Sequence, residues 1–339
     1  MMPAAEKHFF RRHATPAWVT LGCAVSLWAQ QPPPPSVREP LRVEVQVVNV
    51  YCTVTDKKGG LVTDLAREDF EVREDGKRQT LRYFDRETDR PLTLALLVDT
   101  SISQQHVLPL EKETAALFLQ RILRPVDLAL LITFDVNVDL LQDFTSEAVR
   151  LERALGRARI NAPSSLGPFP RTRPIGTRLF DALYLASVEK LAPEVGRRAI
   201  VVLSDGVDQG SQMKFKQVLE AAHRSETMIY AIVVADPTFY RQRGVGYPGH
   251  GKLAKLARET GGRTIQVDKP EKLVAAFDAL AAELRSQYTL GYTPTNRRAD
   301  GKFRKIKVKV KRKGLRVYAR RGYYAPRPPT TPPAKSVPD

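Results

Sequence analysis

Leu92-Thr93-Leu94-Ala95-Leu96-Leu97-Val98-Asp99-Thr100-Ser101-Ile102-Ser103 is an apolar run that breaks off in a carboxylate followed by hydroxyls. A strand with one wet face alternates apolar and polar residues. This run hardly alternates, so it predicts a strand of a parallel sheet buried on both faces. In an open parallel sheet, ligands bind where loops leave the carboxyl ends of the strands. Asp99, Ser101 and Ser103 therefore stand where a site is expected.

Downstream, the strand-helix alternation repeats. A helical pattern covers Val107 to Ile122, a second apolar strand Leu128 to Phe134, and further helices Ser146 to Ala158 and Arg178 to Leu191. Strands at Ala199 to Leu203 and Met228 to Val234 enclose a helix at Lys214 to Arg224. A Gly-rich, aromatic loop from Pro237 to Gly251 precedes a helix at Lys252 to Glu259, a strand near Thr264 to Val267 and a closing helix from Pro270 to Arg285. The expected class is α/β, a doubly wound, mostly parallel, Rossmann-like sheet spanning 91–285.

Upstream, the grammar is that of β-hairpins. Val43, Val45 and Val47 alternate with polar residues, and turn signals at Lys58-Gly59-Gly60 and Glu74-Asp75-Gly76-Lys77 separate runs at Val48 to Val54, Phe70 to Arg73 and Gln79 to Phe84. This β-rich module covers 41–90. Beyond Ser286 the period of two returns at Tyr288, Leu290 and Tyr292, then at Ile306, Val308 and Val310, then at Val317 and Ala319. The simplest arrangement joins this basic segment, 286–325, to the N-terminal strands in one discontinuous β-sandwich with the α/β domain inserted. The Pro-rich tail 326–339 is expected to be disordered.

The N-terminus reads as an address. Lys7, Arg11 and Arg12 precede a mainly apolar stretch from Ala17 to Trp28, too short for a comfortable membrane span, and a Pro-rich linker, 30–40, follows. Residues 1–29 are expected to be a signal peptide cleaved after Ala29, leaving no integral span; a retained anchor, or lipidation at Cys23, is the alternative. The two cysteines, Cys23 and Cys52, cannot build a disulfide framework. The chain of 339 residues, 42% hydrophobic, has material for one large domain and a smaller one. Its formal charge of +17 favours anionic partners, and much of the excess lies between Arg297 and Arg321.

Two more loops can bring oxygen donors to Asp99, Ser101 and Ser103: Thr177, before a helix, and Asp205, after a buried strand. The set holds hydroxyls and carboxylates without imidazole or thiolate, which suits a hard cation, Mg²⁺ with Mn²⁺ or Ca²⁺ as alternatives, and disfavours zinc. In order and setting, the D-x-S-x-S of Asp99 to Ser103 with Thr177 and Asp205 resembles the metal-ion-dependent adhesion site (MIDAS) of von Willebrand factor A (VWA) domains. The resemblance implies that Ser101, Ser103 and Thr177 ligate directly, that Asp99 and Asp205 act largely through water, and that an Asp or Glu of a partner completes the shell. The flanks resemble the Acidobacteria-type variant of that family, with D-F-x-V-x-E-D-G at Asp69 to Gly76 and Tyr-rich strands at Tyr288 to Tyr292 and Arg321 to Tyr324. Ile102 stands where the family often has Gly, and Gln104 where Met is frequent; both departures leave all five donors intact.

Plainer readings exist for each residue. Asp99, the serines and Thr177 could simply cap helices. Asp208 is read as a turn stabiliser with an accessory metal role as the alternative. Asp135 and Asp139 read as turn or surface residues, and His106 and His250 as solvated histidines. Lys305, Lys307, Lys309 and Lys311 share one strand face, as on edge strands protected against aggregation, or as a surface for an anionic envelope polymer. Nucleic acid is the weaker partner for an exported chain. Ser204 lacks the G-x-S-x-G turn of a hydrolase serine, and there is no phosphate loop and no Cys-His pair. The expectation is an exported, non-enzymatic, metal-dependent adhesion protein located in the periplasm, on the cell surface or outside the cell. The alternatives are a non-catalytic subunit of an envelope enzyme complex and a metal-independent basic adhesin.

Overall fold

A computed structural model describes residues 47–87, 90–160, 176–242, 244 and 247–327. The expected signal peptide, the linker, the strand pattern before residue 47 and the tail from 328 onward lie outside the described residues. Among the described residues no helix is long and apolar enough to cross a membrane.

Four strands come first: β1 (Val48–Thr55), β2 (Phe70–Glu74), β3 (Lys77–Gln79) and β4 (Leu81–Glu87). The α/β run follows with β5 (Leu92–Asp99), α1 (Leu108–Ile122), β6 (Leu128–Phe134), β7 (Val138–Thr145) and α2 (Ala148–Arg157). It continues through α3 (Leu179–Leu185, extended by a π-helical turn at Ala186–Leu191), β8 (Arg197–Ser204), α4 (Phe215–Arg224) and β9 (Thr227–Val234). Next come α5 (Pro237–Gln242), α6 (Gly251–Thr260), β10 (Thr264–Val267) and α7 (Leu273–Arg285). The last strands are β11 (Gln287–Tyr292), β12 (Phe303–Val310), β13 (Arg316–Ala319) and β14 (Gly322–Tyr324).

The central sheet has six strands in the order β10-β9-β8-β5-β6-β7. All neighbours are parallel except β6 and β7. All eight residues of β5 are buried, as its unbroken apolar run requires. Leu94, Leu96 and Val98 pack with α1, α2 and α7, while Ala95 and Leu97 face α3, α4 and α6. The chain leaves β5 for β6 on one side and later enters β8 on the other, with α1 and α3 on opposite faces. The carboxyl ends of β5 and β8 thus flank the topological switch point, where an open α/β sheet has its ligand crevice.

The remaining strands form two four-stranded sheets, β13-β1-β11-β4 and β14-β12-β2-β3, each combining strands from both ends of the described chain. β1 lies between β11 and β13, with Val50 opposite Leu290 and Cys52 opposite Ala319, and β2 pairs with β12. Val50, Cys52, Phe70, Val72, Tyr288, Leu290 and Tyr292 share one core. The buried carboxylate of Glu74 accepts the phenol protons of Tyr292 at 2.8 Å and Tyr323 at 3.0 Å, so the two Tyr-rich segments meet the Glu-Asp-Gly turn. In that turn Asp75 (φ 46°) and Gly76 (φ 85°) adopt the left-handed pair of a tight hairpin between β2 and β3.

Three expectations need correction. Gln79 to Phe84 is not one strand: β3 ends at Gln79 in one sheet and β4 begins at Leu81 in the other, so Thr80 turns the corner between them. β7 was not anticipated, because its residues are half-exposed and its pairing with β6 shifts register, which erases the alternation. The aromatic segment after β9 contains the short helix α5.

Candidate metal centre

Asp99, the last residue of β5, has no solvent exposure. Its Oδ1 accepts the Ser101 N–H at 2.9 Å, and its Oδ2 accepts the Ser204 hydroxyl at 2.6 Å. The hydroxyl oxygens of Ser101 and Ser103 lie 3.1 Å apart. Asp205, directly after β8, accepts the Val207 N–H on Oδ1 at 3.0 Å and the Tyr240 phenol on Oδ2 at 2.6 Å. Tyr247 donates to its backbone carbonyl. The next residue must be glycine: Gly206 has φ +81°, and a Cβ there would meet His250 Cβ at 2.6 Å.

Thr177 is held by a two-way backbone bridge to Gln209, with N–H···O distances of 2.8 and 2.9 Å, and Arg178 N–H donates to the Asp135 carbonyl at 2.7 Å. This segment is thereby tied both to the chain leaving β8 and to the end of β6. The capping explanation does not describe these hydroxyls. Ser101 begins a single 3₁₀ turn without a side-chain cap, and the N-cap of α3 is Arg178, also without one. The start of α3 is served instead by Asp208, whose Oδ1 accepts the Phe180 N–H at 3.0 Å and the Ser211 hydroxyl at 2.6 Å. Asp208 thereby ties the chain after β8 to the first turn of α3.

Asp135 is no surface residue: it is buried, accepts the Thr100 hydroxyl at 3.0 Å and closes a turn on the Asn137 N–H. Asp139 is exposed within β7. The two histidines are engaged as well as solvated. His106 Nδ1 lies 2.5 Å from Asp236 Oδ2, and His250 stacks on Tyr247 with its Nδ1 3.2 Å from the phenol oxygen.

The donor set can be tested for a cation by its own charges. Burial, followed by the negative charge of Asp205, pushes Asp99 up to about 7, so the two carboxylates lie together away from water. Glu111 in α1 is fully buried with neither carboxylate oxygen hydrogen-bonded, and burial, then Asp99 and Asp205, drives it well above the carboxylate range. Such an arrangement fits a divalent cation electrostatically. Among the described residues no group of three or more His, Cys, Asp or Glu is placed to hold a metal ion. A cation here would accordingly rest on hydroxyls for direct ligation.

Sequence reasoning missed Glu111, Tyr240 and Tyr247, and weighed Ser204 only as a hydrolase serine. Glu111 left a signal, a carboxylate on the apolar stripe of Leu108, Ala115, Phe118 and Ile122 at helical spacing. The tyrosines left none, since their placement depends on the chain returning after β9.

Lys305, Lys307, Lys309 and Lys311 are exposed on one face, as the alternation requires. Their strand is not simply an edge. β12 lies between β14 and β2, but β14 covers only Phe303 to Lys305, so the second half has a strand neighbour on one side alone.

No protein-family model matches the chain, and no curated protein does. Solved structures do. The chain is similar to the conserved hypothetical protein BatB from Bacteroides thetaiotaomicron, at 19% identity over 57% of this chain and 100% of that one, with a TM-score of 0.45. It is similar to proximal thread matrix protein 1 of the mussel byssus with a zinc-occupied MIDAS motif, at 15% identity, TM-score 0.48, over 62% of this chain and 50% of that one, about half the mussel protein's length. A von Willebrand factor type A structure from Catenulispora acidiphila is similar at 11% identity over 76% of this chain and 72% of that one, TM-score 0.46. The structures that this chain is similar to thus include a von Willebrand A-type protein, the kind its D-x-S-x-S motif resembles.

Proposed function

We propose that this is an exported, non-enzymatic binding protein that engages an acidic side chain of a partner protein through a divalent cation. One observation carries the reading: buried, mutually repelling carboxylates of Asp99 and Asp205 at the switch point, beside serine hydroxyls that cap no helix. Mg²⁺ suits the all-oxygen donors best, with Mn²⁺ or Ca²⁺ as alternatives. Ser101, Ser103 and Thr177 would hold the ion, with Asp99 and Asp205 acting largely through water. When bound, the ion would supply the positive charge that attracts a partner carboxylate to these residues.

Calorimetric titration of the chain with Mg²⁺ and Mn²⁺, set against Asp99→Ala, tests the metal. We expect one-site binding, weakened at least about 10-fold in the variant; identical titrations would overturn the reading. A pull-down from envelope extract should then give a partner that a chelator releases.

A second reading has its own observation. Arg78, Arg73 and Lys307 sit directly opposite one another across β3, β2 and β12, a row of like charges that costs stability and that Glu71, paired with Arg73 at 2.6 Å, offsets in part. Beside it, Arg73, Lys305, Lys307 and Arg321 line a groove of about 630 Å³. This face suits an anionic polymer. Binding that falls steeply with salt and ignores chelator would favour it over the metal.

A further inference from the structure

Helix α1 buries an acid among apolar residues. Leu108, Ala115, Phe118, Leu119 and Ile122 give α1 its buried face, and Glu111 stands among them with no solvent exposure. Both of its carboxylate oxygens lack a hydrogen-bond partner. A carboxylate is costly to bury in that condition unless something else meets its charge.

Its position says where that something lies. Glu111 is in the first turn of α1, with its N–H bonded to the Val107 carbonyl, and helical side chains lean toward the helix N-terminus. That end is joined to the Asp99 loop by two successive tight turns, in which Gln104 N–H bonds to the Ser101 carbonyl and Val107 N–H to the Gln104 carbonyl. The charges that act on Glu111 are those of Asp99 and Asp205, both negative. Gln104 is also fully buried with both side-chain amide atoms unpartnered. Two buried polar side chains without a hydrogen-bond partner thus lie in this one short segment.

We propose that Glu111 is an outer carboxylate of the cation centre, acting through water from the α1 side on an ion held by the loop hydroxyls. The proposal rests on the metal-dependent reading above. It does not require Glu111 to share an ion directly with Asp99 and Asp205. The role is to add negative charge at a site whose direct donors are largely neutral, and to orient the water between.

Glu111→Gln keeps the shape and removes the charge. Mn²⁺ titrations of wild type, Asp99→Ala and Glu111→Gln would be read with melting curves in chelator and in excess Mg²⁺. We expect Glu111→Gln to weaken Mn²⁺ by about 10- to 100-fold, to melt higher than wild type in chelator, and to gain less from Mg²⁺. If Asp99→Ala abolishes binding while Glu111→Gln titrates and melts like wild type, the role of Glu111 is overturned and the metal reading stands. If wild type binds no cation, both fall. A Glu111→Gln chain that melts lower in chelator yet keeps wild-type affinity marks Glu111 as a packing residue and also overturns the proposal.

Discussion

Ser204 shows how much one hydroxyl carries. It donates to Asp99 Oδ2 at 2.6 Å and accepts the Gly206 N–H at 2.9 Å, so the same atom fixes the carboxylate of β5 and the turn leaving β8. Its proton is committed to the aspartate at the carboxyl end of β5. Ser204→Ala removes a hydrogen bond to a carboxylate and orphans a buried N–H, a loss of roughly 2 kcal/mol. Urea unfolding should show that loss in chelator, with metal affinity falling in parallel; unchanged stability would mean that Asp99 holds its position without help. Tyr240 works in the opposite direction, because its phenol occupies the Asp205 Oδ2 at 2.6 Å. Tyr240→Phe leaves the ring and frees that oxygen, so cation binding should tighten several-fold in the same titration, whereas weaker binding would make the phenol a support of the site.

Helix α4 packs its His223 against Phe303 of β12, ring centroids 5.2 Å apart, with the imidazole almost wholly buried. Burial, then the nearby Arg320 guanidinium, lowers His223 from 6.5 to about 4. Because the folded value lies below the unfolded one, the neutral ring's contribution is complete above pH 6.5 and is lost as the pH falls through 4. That loss is on the order of 3 kcal/mol. Urea midpoints measured from pH 7 to pH 4 should fall for wild type and fall less for His223→Gln; parallel curves would place the acid-sensitive step elsewhere. This contact could not be read from the sequence, since it joins an α/β helix to a sandwich strand some 80 residues away, and neither element's periodicity encodes the other. What was legible follows the same logic in reverse. β6 matches the range read from its apolar run because burial on both faces leaves an uninterrupted signal. β7, half-exposed, left no such signal. Within the candidate site, Asp99, Ser101 and Ser103 were legible because they are adjacent at a strand end, while Glu111, proposed beside them, was hidden by lying on a stripe that reads as core.

The described chain passes between sandwich and α/β layers twice, into β5 near Arg90 and out of α7 into β11, and one side chain spans both crossings. Arg197, at the start of β8, has no solvent exposure; its guanidinium donates to the Leu284 carbonyl at 2.6 Å, to Gln287 Oε1 at 3.2 Å and to the Arg90 carbonyl at 3.4 Å. The charge is far from bulk water, yet each bond goes to chain that has just left, or is about to enter, the other layer. Arg320 makes a second tie from β13's end, to the Glu226 carboxylate at 2.9 Å and the Asn49 carbonyl at 2.6 Å. Such ties make two architectures unfold as one unit, because neither can loosen without exposing the other's buried acceptors. Arg197→Met keeps an unbranched apolar stem but leaves three acceptors unmet, at a cost of about 3 kcal/mol or more. In scanning calorimetry the wild type should melt in one transition, and the variant should begin to melt earlier and split into two, the sandwich separating from the six-stranded sheet. A variant that melts as a single sharp transition, merely lowered, would show that other contacts between the layers, such as His223 with Phe303 and Arg320 with Glu226, couple them without the buried guanidinium.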